Sequence, residues 1–111
     1  MTLAISLPLP PSINHQYATV RGRRILSKTS RNYKAMISRL VMLHARKTPR
    51  FAQYPKLNPI VLTLHFYFLT LLKRDLDGGL KIVQDGICEA LEINDNLVME
   101  IHLYKHVDRQ N

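Results

Sequence analysis

The run Arg74-Asp75-Leu76-Asp77 concentrates more potential chemistry than any other stretch of the chain. Asp75 and Asp77 stand two residues apart, and in extended backbone such residues point to one face. Two carboxylates held together repel, and a cation relieves that repulsion. Hard oxygen donors at an open site suit Mg²⁺ or Mn²⁺. A metal there would polarise a phosphodiester and activate a water. The same acids also fit an ordinary helix start, where Asp75 caps the first turn and the helix dipole favours negative charge. Spacing alone leaves both readings open.

Lys81 follows Asp77 by four residues, so the two share a helix face. A lysine there can stabilise charge on a phosphoryl oxygen or an attacking hydroxide. It also fits a surface ion pair worth roughly 0.2–0.5 kcal/mol. Asp95 joins the same site if the helix and the following strand fold back on each other; otherwise it is a turn residue. Asp85 and Glu89 lie on the polar side of the same helix and are solvated unless they face Lys or Arg. Gly78-Gly79 is unusual in a first helical turn, since each glycine costs about 1 kcal/mol relative to alanine. It implies either a frayed start or a close approach to the backbone by a phosphate, a metal-bound water or a second subunit.

Other chemistries have little support. No histidine pair has helical zinc spacing, and His102 and His106 fall in an expected strand. Cys88 reads as a small buried residue, and no serine sits in a nucleophile elbow.

The elements that must position these residues follow from periodicity. Thr2 to Leu7 alternates and predicts a strand ended by Pro8, Pro10 and Pro11. Gln16 to Leu26 predicts a hairpin turning near Arg21-Gly22-Arg23. Ser27 or Thr29 caps a helix reaching about Lys47, with Tyr33, Met36, Ile37, Leu40, Leu43 and His44 as its apolar face. Its other side carries Arg31, Lys34, Ser38 and Arg46. Thr48 to Pro59 reads as loop. Ile60 to Leu71 is rich in β-branched and aromatic residues and predicts a long, central strand. A second helix reaches about Leu91, with Leu76, Leu80, Val83, Ile87 and Leu91 as its apolar face. Ile93 to Asn96 is turn chemistry, and Leu97 to Tyr104 is the last strand. The expected fold is a small α/β domain over residues 1–111, a mixed β-sheet with two main helices.

Charge divides the chain sharply. Residues 1–74 hold thirteen Lys and Arg and no acid, while residues 75–111 hold three basic residues against eight acidic ones. The first part is an electrostatic surface for a polyanion, with Arg21, Arg23, Arg24, Arg31 and Arg74 as candidate phosphate contacts. An apolar fraction of 46% argues against disorder. A single cysteine fits a reducing, cytoplasmic compartment, and no apolar run reaches the length of a membrane span.

With these residues placed, the chain resembles the RusA family of Holliday-junction resolvases over nearly its whole length. The Leu7 to Asn14 segment is similar to the family's opening Pro-Pro-Ser-x-Asn. Arg21-Gly22-Arg23 and Tyr33 stand where the family has a basic hairpin and a helix tyrosine. Arg74-Asp75-x-Asp77-x-x-x-Lys81, then Asp85 and Asn94-Asp95, resembles Arg-Asp-x-Asp-Asn-x-x-Lys, an Asp-containing helix and a later acidic pair. The resemblance implies that Asp75, Asp77 and Asp95 bind metal and that Lys81 is catalytic. It also implies a homodimeric, Mg²⁺-dependent enzyme that places paired nicks across a four-way DNA junction. Gly78 departs from the usual asparagine, Asn94 from the first acid of the later pair, and the C-terminus is short. Two other readings remain. One is a non-catalytic protein binding DNA junctions; the other is a metal nuclease acting on other branched or single-stranded DNA.

Overall fold

The computed structural model describes residues 3–11, 16–48, 58–68, 70 and 78–108. In chain order the elements are β1 (Tyr17–Val20), β2 (Arg23–Leu26), α1 (Lys28–Arg46), β3 (Ile60–Phe68), α2 (Leu80–Leu91), a 3₁₀ turn (Asp95–Leu97) and β4 (Val98–Val107). The protein is a small α/β fold, with two helices and both antiparallel and parallel strand pairs among the described residues.

β1 and β2 form the expected hairpin, with Tyr17 opposite Leu26 and Val20 opposite Arg23. Both turn residues have positive φ, 51° at Arg21 and 76° at Gly22. That is the backbone of a two-residue turn whose twist matches the flanking strands. Only Gly22 adopts it without steric cost, so the turn is set by Gly22 while Arg21 is held outward.

Ser27 caps α1, its Oγ accepting from the Ser30 N–H at 3.1 Å. The buried residues of α1 are Ser30, Tyr33, Ile37 and Val41. Tyr33 and Ile37 lie inward as expected, and the rest of the expected apolar face is corrected. Met36, Leu40 and Leu43 are exposed, as is His44, and Val41 lies inward instead. The cause is tertiary: Ile37 is 0% exposed and sits against a glycine of α2, so that line of the helix faces inward. A Cβ built on Gly86 would lie 2.5 Å from Ile37 Cδ1 and 2.6 Å from its Cγ1. Gly86 therefore lets the two helices close on each other.

β3 and β4 run parallel, joined through α2. Even-numbered β3 residues face inward: Phe66 and Phe68 are buried and Leu64 packs beside them. With Tyr33, Ile37, Ile82, Val83, Leu7, Ile87 and Leu103 they make the core, between the helices and one face of the strand pair. β3 pairs with β4 alone among the described residues, so the expected central position is not observed. Its expected last residue, Leu71, lies outside the described residues.

The expected N-terminal strand is also absent: residues 3–7 join no ladder. Their burial still alternates, because an extended segment lays one side against the core. The prolines that follow it are held by side chains. Tyr33 Oη donates to the Pro8 carbonyl at 2.7 Å, and Gln16 Nε2 donates to the Pro11 carbonyl at 2.9 Å.

Candidate active site

Arg74, Asp75 and Asp77 lie outside the described residues, as do Ser12 to Asn14. The described part of the site begins at Gly78, immediately after Asp77. Its position is fixed by Gln16, only 2% exposed, whose Nε2 also donates to the Gly78 carbonyl at 2.6 Å. One side-chain amide thus ties the N-terminal prolines to the entry of α2. Burying an amide without partners costs about 1–3 kcal/mol, and two carbonyl acceptors offset that. Gln16 carried no motif signal; only its burial reveals the role.

Gly79 answers the question raised by the glycine pair. What approaches its backbone is the chain itself: a Cβ there would collide with the Pro10 ring and touch Phe66 Cε1 at 3.5 Å. Neither a phosphate nor a second subunit is needed to explain this glycine.

Lys81 and Asp95 do come together. Ten residues of helix separate Lys81 from Leu91, a rise of about 15 Å, so the return path needs explanation. α2 ends in a reversal in which Glu92 adopts φ 56° and donates to the Glu89 carbonyl, while the Ile93 N–H bonds the Cys88 carbonyl at 3.0 Å. This Schellman closure turns the chain back along the helix. Asn94 then caps the 3₁₀ turn, its Oδ1 accepting from the Asn96 N–H at 3.1 Å. That is the role of the residue that replaces an acid: it shapes the turn that carries Asp95. A bulge follows, since Ile60 pairs with Val98 but Val61 with Glu100. Bulges of this kind re-aim backbone beside functional sites.

Lys81 Nζ lies 3.0 Å from Asp85 Oδ1 and 3.7 Å from Asp95 Oδ2. Asp85 is therefore not the solvated residue it is by default in the sequence; it faces a lysine. Glu89 likewise pairs with Lys34 of α1 at 3.4 Å. By hydrogen bond and by charge, Asp85 holds the Lys81 ammonium protonated above its ordinary 10.5; slight burial opposes this and Asp95 adds a smaller push. Lys81 is thus a fixed cation and not a base. Cys88, as expected, is buried, and burial pushes its thiol above the ordinary 9.0, with Asp95 and Asp85 adding to the shift. It is a poor nucleophile.

Asp85 and Asp95 both converge on the Lys81 ammonium, and carboxylate oxygens are the type of hard donor that suits Mg²⁺ or Mn²⁺. Among the described residues no group of three metal-ligating side chains is present. Asp95 alone of the three expected metal ligands is described.

Of the five candidate phosphate contacts, all but Arg74 fall within the described residues. Arg21, Arg23, Arg24 and Arg31 are all exposed. Arg24 is held in place by its guanidinium, 4.3 Å from the Tyr17 ring centroid. No described helix is long and apolar enough to cross a membrane.

A family model described as Endodeoxyribonuclease RusA matches residues 8–111 of the chain. No curated protein matches it.

Proposed function

The chain belongs to the RusA endodeoxyribonuclease family, and from that premise we propose that it is a Mg²⁺-dependent endonuclease that resolves four-way DNA junctions. The observation that supports this site assignment is the meeting of Lys81 with Asp95 across the folded-back end of α2.

Asp95, with Asp75 and Asp77, would hold the metal, and Mn²⁺ has the same ligand preference. When bound, the metal polarises the scissile phosphodiester and lowers the pKa of its water. The chain's own groups do the rest. Lys81 presents a permanent positive charge to the phosphoryl oxygens, where negative charge grows as the P–O bond breaks. Arg21, Arg23, Arg24, Arg31 and Arg74 meet backbone phosphates of the junction arms and set its register without reading sequence. Water adds to phosphorus, the bond to the 3′ oxygen breaks, and that oxygen takes a proton, leaving a 5′-phosphate and a 3′-hydroxyl. A junction has near two-fold symmetry and two strands to cut, which a homodimer with two such sites would nick in pairs. The process served is DNA recombination and repair inside the cell.

The test is a cleavage assay on a synthetic four-way junction, a linear duplex and a single strand, each with Mg²⁺ and with EDTA. Symmetric paired nicks in the junction, only with Mg²⁺, are expected. Salt-sensitive binding without cutting would mean a non-catalytic junction binder. Equal cutting of single strands would mean a nuclease of broader substrate range.

A further inference from the structure

We propose that Asp85 is a positioning residue: it anchors the Lys81 ammonium on α2 and so keeps the lysine from closing over the Asp95 carboxylate. The proposal rests on the reading of Asp95 as a cation ligand.

Helix stability does not account for the Lys81–Asp85 pair. A lysine at the second residue of α2 sits at the positive end of the helix dipole, where cations are disfavoured. The order of the pair, with the cation N-terminal to the acid, is also the weaker one for an i,i+4 contact. The pair is therefore arranged for its position. It places a charge in front of Asp95.

The two distances assign different tasks to the two acids. At 3.0 Å, Asp85 makes a charge-assisted hydrogen bond. At 3.7 Å, Asp95 is past the range of a good hydrogen bond, and its pull on the lysine is the weaker of the two. Asp85 is also the less exposed of the two, at 31% against 48% for its side chain. It stands on the helix itself, while Asp95 stands on a 3₁₀ turn. The rigid partner thus holds the directional bond, and the carboxylate of Asp95 keeps its lone pairs for another cation. Without Asp85, a shift of under 1 Å would give Lys81 a hydrogen bond to Asp95. The lysine would then compete with the metal for the same oxygens.

The experiment is a Mn²⁺ titration of the full chain without DNA, with free Mn²⁺ read by electron paramagnetic resonance. It compares wild type, Asp85→Asn, Lys81→Met and the double variant, with helicity checked by circular dichroism. Asp85→Asn should weaken Mn²⁺ binding on the order of tenfold, the usual size for groups that orient metal ligands. In the Lys81→Met background the same change should have an effect within about threefold, because only a solvent-screened charge is then lost. Asp85→Glu, which restores an acceptor to the lysine, should recover most of the affinity. Equal weakening with and without Lys81 would overturn the proposal, since Asp85 would then act on the metal directly. No weakening in either background would also overturn it. Wild type that binds no Mn²⁺, or Asp95→Asn that binds as well as wild type, would instead overturn the ligand role of Asp95, and the proposal with it.

Discussion

The two described helices pack on each other and divide the work. α1 carries Lys28, Arg31, Lys34, Arg39 and Arg46 and no acid. α2 carries one lysine and two acids, and each acid is used: Asp85 by Lys81 on its own helix, Glu89 by Lys34 on the other. α1 is a broad positive surface whose charges would act collectively on a bound polyanion. α2 is a local arrangement in which a shift of an ångström matters. Loss of charge on the basic side should therefore act by degrees, and loss of one atom on the acidic side should act almost completely.

The largest effect is expected on α2. Lys81→Met should lower the single-turnover cleavage rate on the order of 10²–10³-fold while junction affinity changes little, because the charge is needed where the transition state develops it. A parallel loss of affinity in gel-shift assays would place Lys81 with the phosphate-binding arginines instead.

The contact joining the helices comes next. Gly86→Ala should destabilise the fold by roughly 1–3 kcal/mol in denaturant titrations, since its new methyl meets the fully buried Ile37. Helix propensity acts the other way, by about 1 kcal/mol. Ile37→Val removes Cδ1, the nearer clashing atom, and should recover part of the loss in the Gly86→Ala background. Additive losses would show that the two residues do not meet.

On the basic side the effects are smaller and graded. Arg23→Ala and Arg24→Ala should weaken binding to junctions of every sequence alike, and each should reduce the salt slope by about 1. A sequence-dependent loss would mean that the hairpin reads bases.

The smallest effect concerns pH. Asp85 and Asp95 raise the pKa of Lys81, so the ion pairs contribute fully to stability below the ordinary 10.5 and fade only as pH rises through the raised value. The stability difference between wild type and Lys81→Met should thus stay constant from neutral pH to 10.5. It will be small, because Lys81 is 66% exposed. A difference that fades between pH 7 and 9 would contradict the pairing.

Most element identities were legible because they follow from local chemistry: Arg21-Gly22 for the hairpin, Ser27 for the start of α1, the run of β-branched and aromatic residues for β3. Faces were less legible. Tyr33 and Ile37 were read correctly on the inner face of α1, but Met36, Leu40 and Leu43 also make a good helical stripe, and only the close approach of Gly86 to Ile37 shows which line packs inward. The N-terminal alternation described an extended chain correctly but not its lack of a ladder, and Tyr33 and Gln16 hold only the prolines after it. At the site, spacing aligned Lys81 with its helix but left Asp95 open. The return of Asp95 depends on a Schellman closure made by Glu92, where a glycine would have announced it. The pairing of Asp85 was readable from its i,i+4 spacing to Lys81; its purpose was not.

In the proposed function Asp95, brought beside Lys81, serves metal-dependent cutting of a four-way junction. The most direct test is cleavage of a synthetic junction by wild type and Asp95→Asn at matched protein and Mg²⁺ concentrations, with junction binding measured in parallel. The account predicts paired nicks by wild type and none by Asp95→Asn, with binding retained by both. Undiminished cutting by Asp95→Asn would contradict it.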